Sequence, residues 1–228
     1  MTTVTIRQPG FIPYIGFFKK IQSSDTFVYL DDAQYAIRAW DNRNKIRSNH
    51  SDCWISVPVL HPFKKKLNEV KISYSKNWIE NHKNLIITNY ENCPYFKSYW
   101  SEIESILNKK FEKLVDLNIE LIENFNKNLQ IQTKTVKSSE LKIKTTETQR
   151  LFDICKILNA TTYRSGSFGK EYLDESIFAN GKILLIYENF QHPIYNQSKK
   201  QFIPNLSIID LLFNEGENSI KILNECKN

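Results

Sequence analysis

The stretch Val4-Thr5-Ile6-Arg7-Gln8-Pro9-Gly10-Phe11-Ile12-Pro13-Tyr14-Ile15-Gly16-Phe17-Phe18, continued by Thr26-Phe27-Val28-Tyr29-Leu30-Asp31-Asp32, decides the fold. Val4 to Ile6 is a short β-prone run. The Pro/Gly-punctuated segment after it hands over to a helix, in which Phe17, Phe18 and Ile21 recur at helical spacing. Ser23-Ser24-Asp25 stops that helix after about two turns. Thr26 to Leu30 then reads as a second buried strand, ended by Asp31-Asp32. Strand, loop, helix, strand within about 30 residues is a βαβ unit with parallel pairing.

Further along the chain, Trp40 to Arg47 is polar and basic and reads as a loop, and Cys53 to Val59 as a strand ended by proline. Val70 to Tyr74 alternates and adds one more strand. From about 78 to 128 the pattern changes to a helical period, carried by Trp78, Ile86, Phe96, Trp100, Ile103, Leu107, Leu114, Leu121 and Phe125. This predicts a helical insert in a single α/β domain spanning residues 1–228. Strand character restarts at Thr133 to Val136, a helix opens at Thr145 to Thr148, and Thr161 to Tyr163 feeds the small-residue loop Arg164-Ser165-Gly166. Ile183 to Tyr187 is the most hydrophobic strand and is expected to be the most buried. A Ser207-capped helix closes the pattern. The predicted fold is α/β, with a mostly parallel, Rossmann-like sheet covered on both faces.

Composition narrows the function. The chain has 228 residues, 41% of them hydrophobic and 25% charged, which excludes collagen-like, disordered and disulfide-framework classes. There is no uncharged apolar run near the roughly 20 residues of a membrane helix, and the start lacks a secretory signal pattern. A cytoplasmic protein is predicted. A formal charge of +6 favours anionic partners. Cys53, Cys93, Cys155 and Cys226 form no CxxC pair, and His50, His61, His82 and His192 have no metal-ligand spacing, so no metal site is expected.

In an open parallel sheet, ligands bind outside the carboxyl ends of the strands. The residues that follow predicted strands are therefore the candidates, and Gln8, Asp31, Arg43, Ser165 and His192 are expected to line one cleft. Asp31 and Asp32 offer a general base or oxygen ligands for a divalent cation, or merely end a strand as a solvated turn. Arg43 with Asn42 and Asn44 suits an anionic, hydroxyl-rich ligand, the alternative being a basic loop anchored by Trp40. Tyr163-Arg164-Ser165-Gly166 offers an anion-binding turn. His192, beside Tyr195 and Gln197, is a candidate general base. Asp32 competes for that role, since repulsion from Asp31 would raise its pKa.

Gln8-Pro9-(x)3-Pro13-Tyr14-(x)-Gly16-Phe17-Phe18, Asp31-Asp32-(x)-Gln34-Tyr35 and Trp40-(x)-Asn42-Arg43-Asn44 together resemble the WbqC-like protein family of surface-polysaccharide gene clusters. So do Pro94-Tyr95-Phe96, Tyr163-(x)-Ser165-Gly166, His192-Pro193-(x)-Tyr195-(x)-Gln197 and Leu206-Ser207-(x)2-Asp210-Leu211-Leu212-Phe213-Asn214-(x)-Gly216. Arg7 departs from the histidine that some members carry before Gln-Pro. The resemblance implies O-antigen or capsule biosynthesis, with transfer of an acyl or aminoacyl group, glycyl for example, to a nucleotide-linked amino sugar. It brings Tyr14, Gln34 and Ser207 into the substrate-binding set.

As donor, an acyl thioester on coenzyme A or a carrier protein is favoured over ATP and Mg²⁺, and DNA is not an expected partner. The opening strand order also resembles HUP-type adenylate-forming enzymes, although Arg7, Gln8 and Pro13 stand where the histidines of their HxGH-type signature would be sought. An ATP-dependent amide ligase and a non-catalytic binding module are the alternative functions.

Overall fold

The structure, a computed structural model, describes residues 1–49, 51–198 and 201–227; His50 lies outside them. The chain opens with β1 (Thr3–Arg7), α1 (Ile15–Gln22) and β2 (Thr26–Tyr29), the βαβ unit expected. Two hairpins follow, β3 (Arg43–Arg47) with β4 (Asp52–Ser56) and β5 (Val59–Leu60) with β6 (Lys71–Ile72). Next come the helices α2 (Trp78–Tyr90), α3 (Phe96–Asn108) and α4 (Leu114–Asn128). The chain then returns through β7 (Lys134–Lys137), α5 (Glu147–Ile157), β8 (Thr162–Ser165), α6 (Glu175–Asn180) and β9 (Leu184–Tyr187), and ends in α7 (Ile208–Glu215) and α8 (Asn218–Glu225).

The central sheet has five strands in the order β7-β2-β1-β8-β9, and every neighbouring pair is parallel. Counted along the chain, this order is third, second, first, fourth, fifth. That is the Rossmann-like, doubly wound arrangement, and the direction of winding reverses between β1 and β8. Because strand side chains alternate between faces, β1 and β2 divide their residues between two cores. Phe27 and Tyr29 join Phe17, Phe18, Ile21 and the helical insert on one face. Val4, Ile6, Val28 and Tyr163 meet Leu151, Ile154 and Phe178 of α5 and α6 on the other. Helices therefore cover both faces, which is why these strands read as nearly continuous apolar runs.

Three details differ from the sequence reading. Residues 43–47 form a strand rather than a loop, because Lys45 pairs across β3 and β4 with Trp54, Arg47 with Asp52, and Ile46 is buried. β9 is an edge strand, with Leu184 60% exposed, although its sequence is the most apolar. Ser207 does precede α7, but its hydroxyl makes no capping bond; the Asp210 amide that it would cap donates to the Ser207 carbonyl instead (3.0 Å), and Ile208 N to Pro13 O (2.8 Å). Among the described residues, no helix is long and apolar enough to cross a membrane.

Candidate functional site

The reversal between β1 and β8 leaves a crevice beyond their carboxyl ends, where ligands bind in open α/β sheets. Strand alternation and register decide what points into it. Thr5 is level with Arg164 on β8, and Arg164 with Ile186 on β9. Two residues further on, Arg7, Gly166 and Glu188 form the next row on the same face. α1 crosses above this row and carries Lys20, whose ammonium reaches over Gly166 to an ion pair with Glu188. A Cβ on Gly166 would stand 3.4 Å from Lys20 Nζ and 3.8 Å from an Arg7 guanidinium nitrogen, ordinary contact distances that place both cations directly over the strand end.

Among the described residues, Lys20 pairs with Glu188 and stands in the field of Arg7 and Arg164, while Asp41 is a second carboxylate, within the field of Arg7. Glu188 is 4% exposed, and its oxygens have no hydrogen bond among the described residues beyond the contact with Lys20. Burial, and then the charges of Arg7 and Arg164, push the Lys20 amine down towards about 7. The carboxylate in contact with it holds the proton in place. Arg164 Nε is buried and unpartnered among the described residues. Such a set is suited to a doubly charged phosphoryl group, which guanidinium forks bind with two parallel hydrogen bonds.

One wall of the crevice is aromatic. The Tyr14 ring folds over Gly16, packs edge-on to Phe190 (5.8 Å between centroids) and lies within the field of Arg7, which partly offsets the rise that burial causes in its phenol pKa. Phe190 in turn meets His192 (6.2 Å), which is enclosed further by Tyr195 and Phe202. His192 Nδ1 lies 2.7 Å from the Pro193 carbonyl. A carbonyl can only accept, so Nδ1 carries the hydrogen and Nε2 is left as a bare acceptor. Nε2 is buried and has no partner among the described residues, and burial lowers the imidazole pKa, so the ring is neutral at pH 7.

The crevice thus gathers Tyr14 and Gly166, with His192 behind Phe190. Gln8 stands at its edge and donates to Gln34 O (3.0 Å), joining the two loops that leave β1 and β2. The other candidates are elsewhere. Asp31 accepts from Ser138 Oγ (3.0 Å), Ser139 N (2.9 Å) and Ser139 Oγ (2.6 Å), and Asp32 from Ser138 Oγ and Arg150. Burial opposes ionisation of Asp32, but the hydrogen bonds from Arg150 and Ser138 outweigh it and hold the pKa below its ordinary value, opposite to the rise expected. These carboxylates tie the end of β2 to the segment after β7, about 14 Å, or three strand spacings, from the end of β9.

Asn42 and Asn44 are also committed to the backbone, donating to Val57 O (2.8 Å) and to Phe11 O and Ile12 O (3.2 and 2.8 Å). Arg43 is half-buried, lies over the Trp54 ring at 4.3 Å and donates to Arg38 O. Tyr163 stacks on Phe178 in the opposite core, and Ser165 is buried on that side. Tyr195 and Gln197 donate to Asp210 (2.8 and 2.9 Å) in a buried network with Tyr90 and Arg47, and Ser207 is buried at the start of α7.

The sequence reading missed Arg7, Lys20 and Glu188 as site residues, and met Arg164 only within the turn Tyr163-Arg164-Ser165-Gly166. Their signal was the period of two that puts Arg7 on the face of Thr5, Arg164 on that face of β8 and Glu188 on that face of β9, together with a lysine in a buried helix. Among the described residues, no three His, Cys, Asp or Glu side chains are grouped so as to hold a metal ion.

The comparisons with known proteins agree with one another. The uncharacterized protein Rv1507c of Mycobacterium tuberculosis (strain ATCC 25618 / H37Rv) is 32% identical over 231 aligned residues that cover the whole of both chains. No solved structure matches the chain. The model of the WbqC-like protein family matches residues 8–222, including the strand-end segments that build the crevice, and the chain belongs to that family.

Proposed function

We propose that the chain binds a nucleotide-linked amino sugar by its diphosphate in the crevice between β1 and β8, and transfers an acyl or aminoacyl group to the sugar's amine. The observation that carries this is the approach of Lys20 and Arg7 to Gly166, with Arg164 close enough for its charge to act on Lys20. Three cations against the two carboxylates of Glu188 and Asp41 leave an excess of positive charge that a diphosphate neutralises. The aromatic wall of Tyr14 and Phe190 offers a face to a sugar or base ring.

In the transfer step, His192 Nε2 accepts a proton from the sugar ammonium. The freed amine attacks the thioester carbonyl carbon and a C–N bond forms; as the C–S bond breaks, the proton that the new amide nitrogen must shed passes to the departing sulfur, and coenzyme A or the carrier protein leaves as the thiol. Nε2 is enclosed by Phe190, Tyr195 and Phe202, so the step requires this cage to open towards the crevice. An ATP-dependent ligase is the second reading, favoured by the strand order. Against it, Asp31 and Asp32, the residues expected to hold Mg²⁺, are already committed to Ser138 and Ser139, which follow β7, and to Arg150 of α5.

Calorimetry with nucleoside-diphosphate amino sugars, acyl coenzyme A and ATP with Mg²⁺ tests the assignment. Arg164→Ala should weaken the nucleotide sugar by about 1.5–3 kcal/mol, the range for a hydrogen bond to a charged group. Gly166→Val, which fills the gap from an extended backbone position, should do the same with little change in melting temperature. Unchanged affinity in both variants, or binding of ATP with Mg²⁺ alone, would remove the sugar assignment.

A further inference from the structure

Beyond the crevice, the segment 36–40 and the loop 60–66 form one face, although they are far apart in sequence. Tyr35 N donates to Lys65 O (2.9 Å), Leu67 N to Ala33 O (2.9 Å), and Gln34 bridges Lys66. Each segment ends in an apolar tip followed at once by a cation. Phe63 is 71% exposed and precedes Lys64; Ile37 is 57% exposed and precedes Arg38. In both, the cation takes a left-handed backbone conformation, with φ of 57° at Lys64 and 63° at Arg38. Non-glycine residues seldom adopt that conformation. The same tight turn at both places throws the apolar residue outwards.

Cations crowd the same face. Lys64, Lys65 and Lys66 surround Phe63, and Lys64 Nζ lies 5.5 Å above its ring. Arg43 donates to Arg38 O and covers Trp54, which packs against the exposed Trp40. The acids nearby are fewer than the cations: Asp41, buried on Ala36 N, and Glu69, which accepts from Lys66 N, stand against Arg38, Arg43, Lys64, Lys65 and Lys66, while Asp52 is paired with Lys45.

We propose that this face docks on an anionic lipid bilayer, with Phe63 and Ile37 entering the headgroup layer and Arg38, Lys64, Lys65 and Lys66 set against lipid phosphates. Apolar tips interleaved with cations have the composition of interfacial anchors, whose binding adds buried apolar area to attraction by anionic lipid. Nucleic acid would use the aromatic rings and cations, but an aliphatic tip such as Ile37 cannot stack on a base. The proposal does not depend on the crevice reading, since none of its residues contacts the Gly166 gap.

Flotation of the full chain with vesicles tests it. Binding is expected to vesicles of phosphatidylglycerol and phosphatidylethanolamine, to weaken as salt rises, and to be slight on phosphatidylcholine alone. Lys64→Ser with Lys66→Ser should cost about fivefold in partitioning for each lysine removed. Phe63→Ser with Ile37→Ser should abolish flotation while the melting temperature stays that of the wild type. The proposal is overturned if both double variants float like the wild type, or if no vesicle is bound. It is equally overturned if this face instead takes up an oligonucleotide or a second copy of the chain and leaves the vesicles free.

Discussion

Lys20 and Glu188 show how one buried pair holds the charge pattern of the crevice. Removing one partner of such a pair costs about 3–5 kcal/mol, because the other is left buried and uncompensated. Glu188→Gln should therefore destabilise the fold by that order at pH 7, and the cost should shrink as pH rises. The sign follows from proton binding. Burial and the charges of Arg7 and Arg164 draw the Lys20 amine down towards about 7 in the fold, against its ordinary 10.5, and the Glu188 carboxylate is the group that acts against that fall. Between those values the unfolded state binds more protons, so stability rises with pH. Urea unfolding of the variant at several pH values should show that rise, and the wild type a flatter profile; a loss independent of pH would mean that Lys20 is not the group left uncompensated. The crevice was only half legible in the sequence. Gly166 and Tyr14 announce themselves by residue type and position after a strand, whereas Arg7, Arg164 and Glu188 acquire meaning only once β1, β8 and β9 are known to lie side by side.

Secondary-structure elements were most legible where burial fixes them and least where pairing does. The βαβ opening and the helices of the insert carry strong periodicity and were expected. The strand at Arg43-Asn44-Lys45-Ile46-Arg47 carries four polar residues in five, and its pairing partners, not its own propensity, make it a strand. The junction of α7 and α8 depends instead on a single backbone conformation. Gly216 has φ 56° and ψ −131°, a region open essentially to glycine, and a Cβ there would stand 2.5 Å from the Tyr95 ring. Tyr95 N is bonded to Phe213 O (3.0 Å), which holds the backbone in place, so the clash is relieved only by turning the Tyr95 ring, 42% exposed, out of its position. Gly216→Ala should cost at least about 1–3 kcal/mol in backbone strain alone. Chemical denaturation measures it, and wild-type stability would show that the junction relaxes freely.

At the scale of the whole molecule, the insert and the sheet rim are joined through Asp210. Its carboxylate, 1% exposed on α7, accepts from Tyr90 Oη of α2 (3.0 Å), from Tyr195 Oη (2.8 Å) and from Gln197 Nε2 (2.9 Å). Arg47 of β3 joins through Gln197 Oε1 (2.7 Å), and its amide donates to Tyr90 Oη (2.7 Å). Burial raises the Asp210 pKa, and the hydroxyl and amide donors counter the rise. The segment that carries His192 is thus fastened to the helical insert rather than to the strand it leaves. Asp210→Ala strands the Tyr90 and Tyr195 phenols with no acceptor and leaves Gln197 Nε2 to Ile203 O, at about 1–3 kcal/mol for each buried group left unsatisfied, so a large loss of stability is expected. Tyr195→Phe removes one donor and leaves Asp210 with the others, so its loss should stay near the low end of that range. Hydrogen exchange separates a hub from a local contact. If Asp210 is a hub, the milder Tyr195→Phe should raise exchange in residues 189–198 and at the end of α2 together. Faster exchange confined to 189–198 would reduce the network to a local clasp and leave the position of His192 independent of the insert.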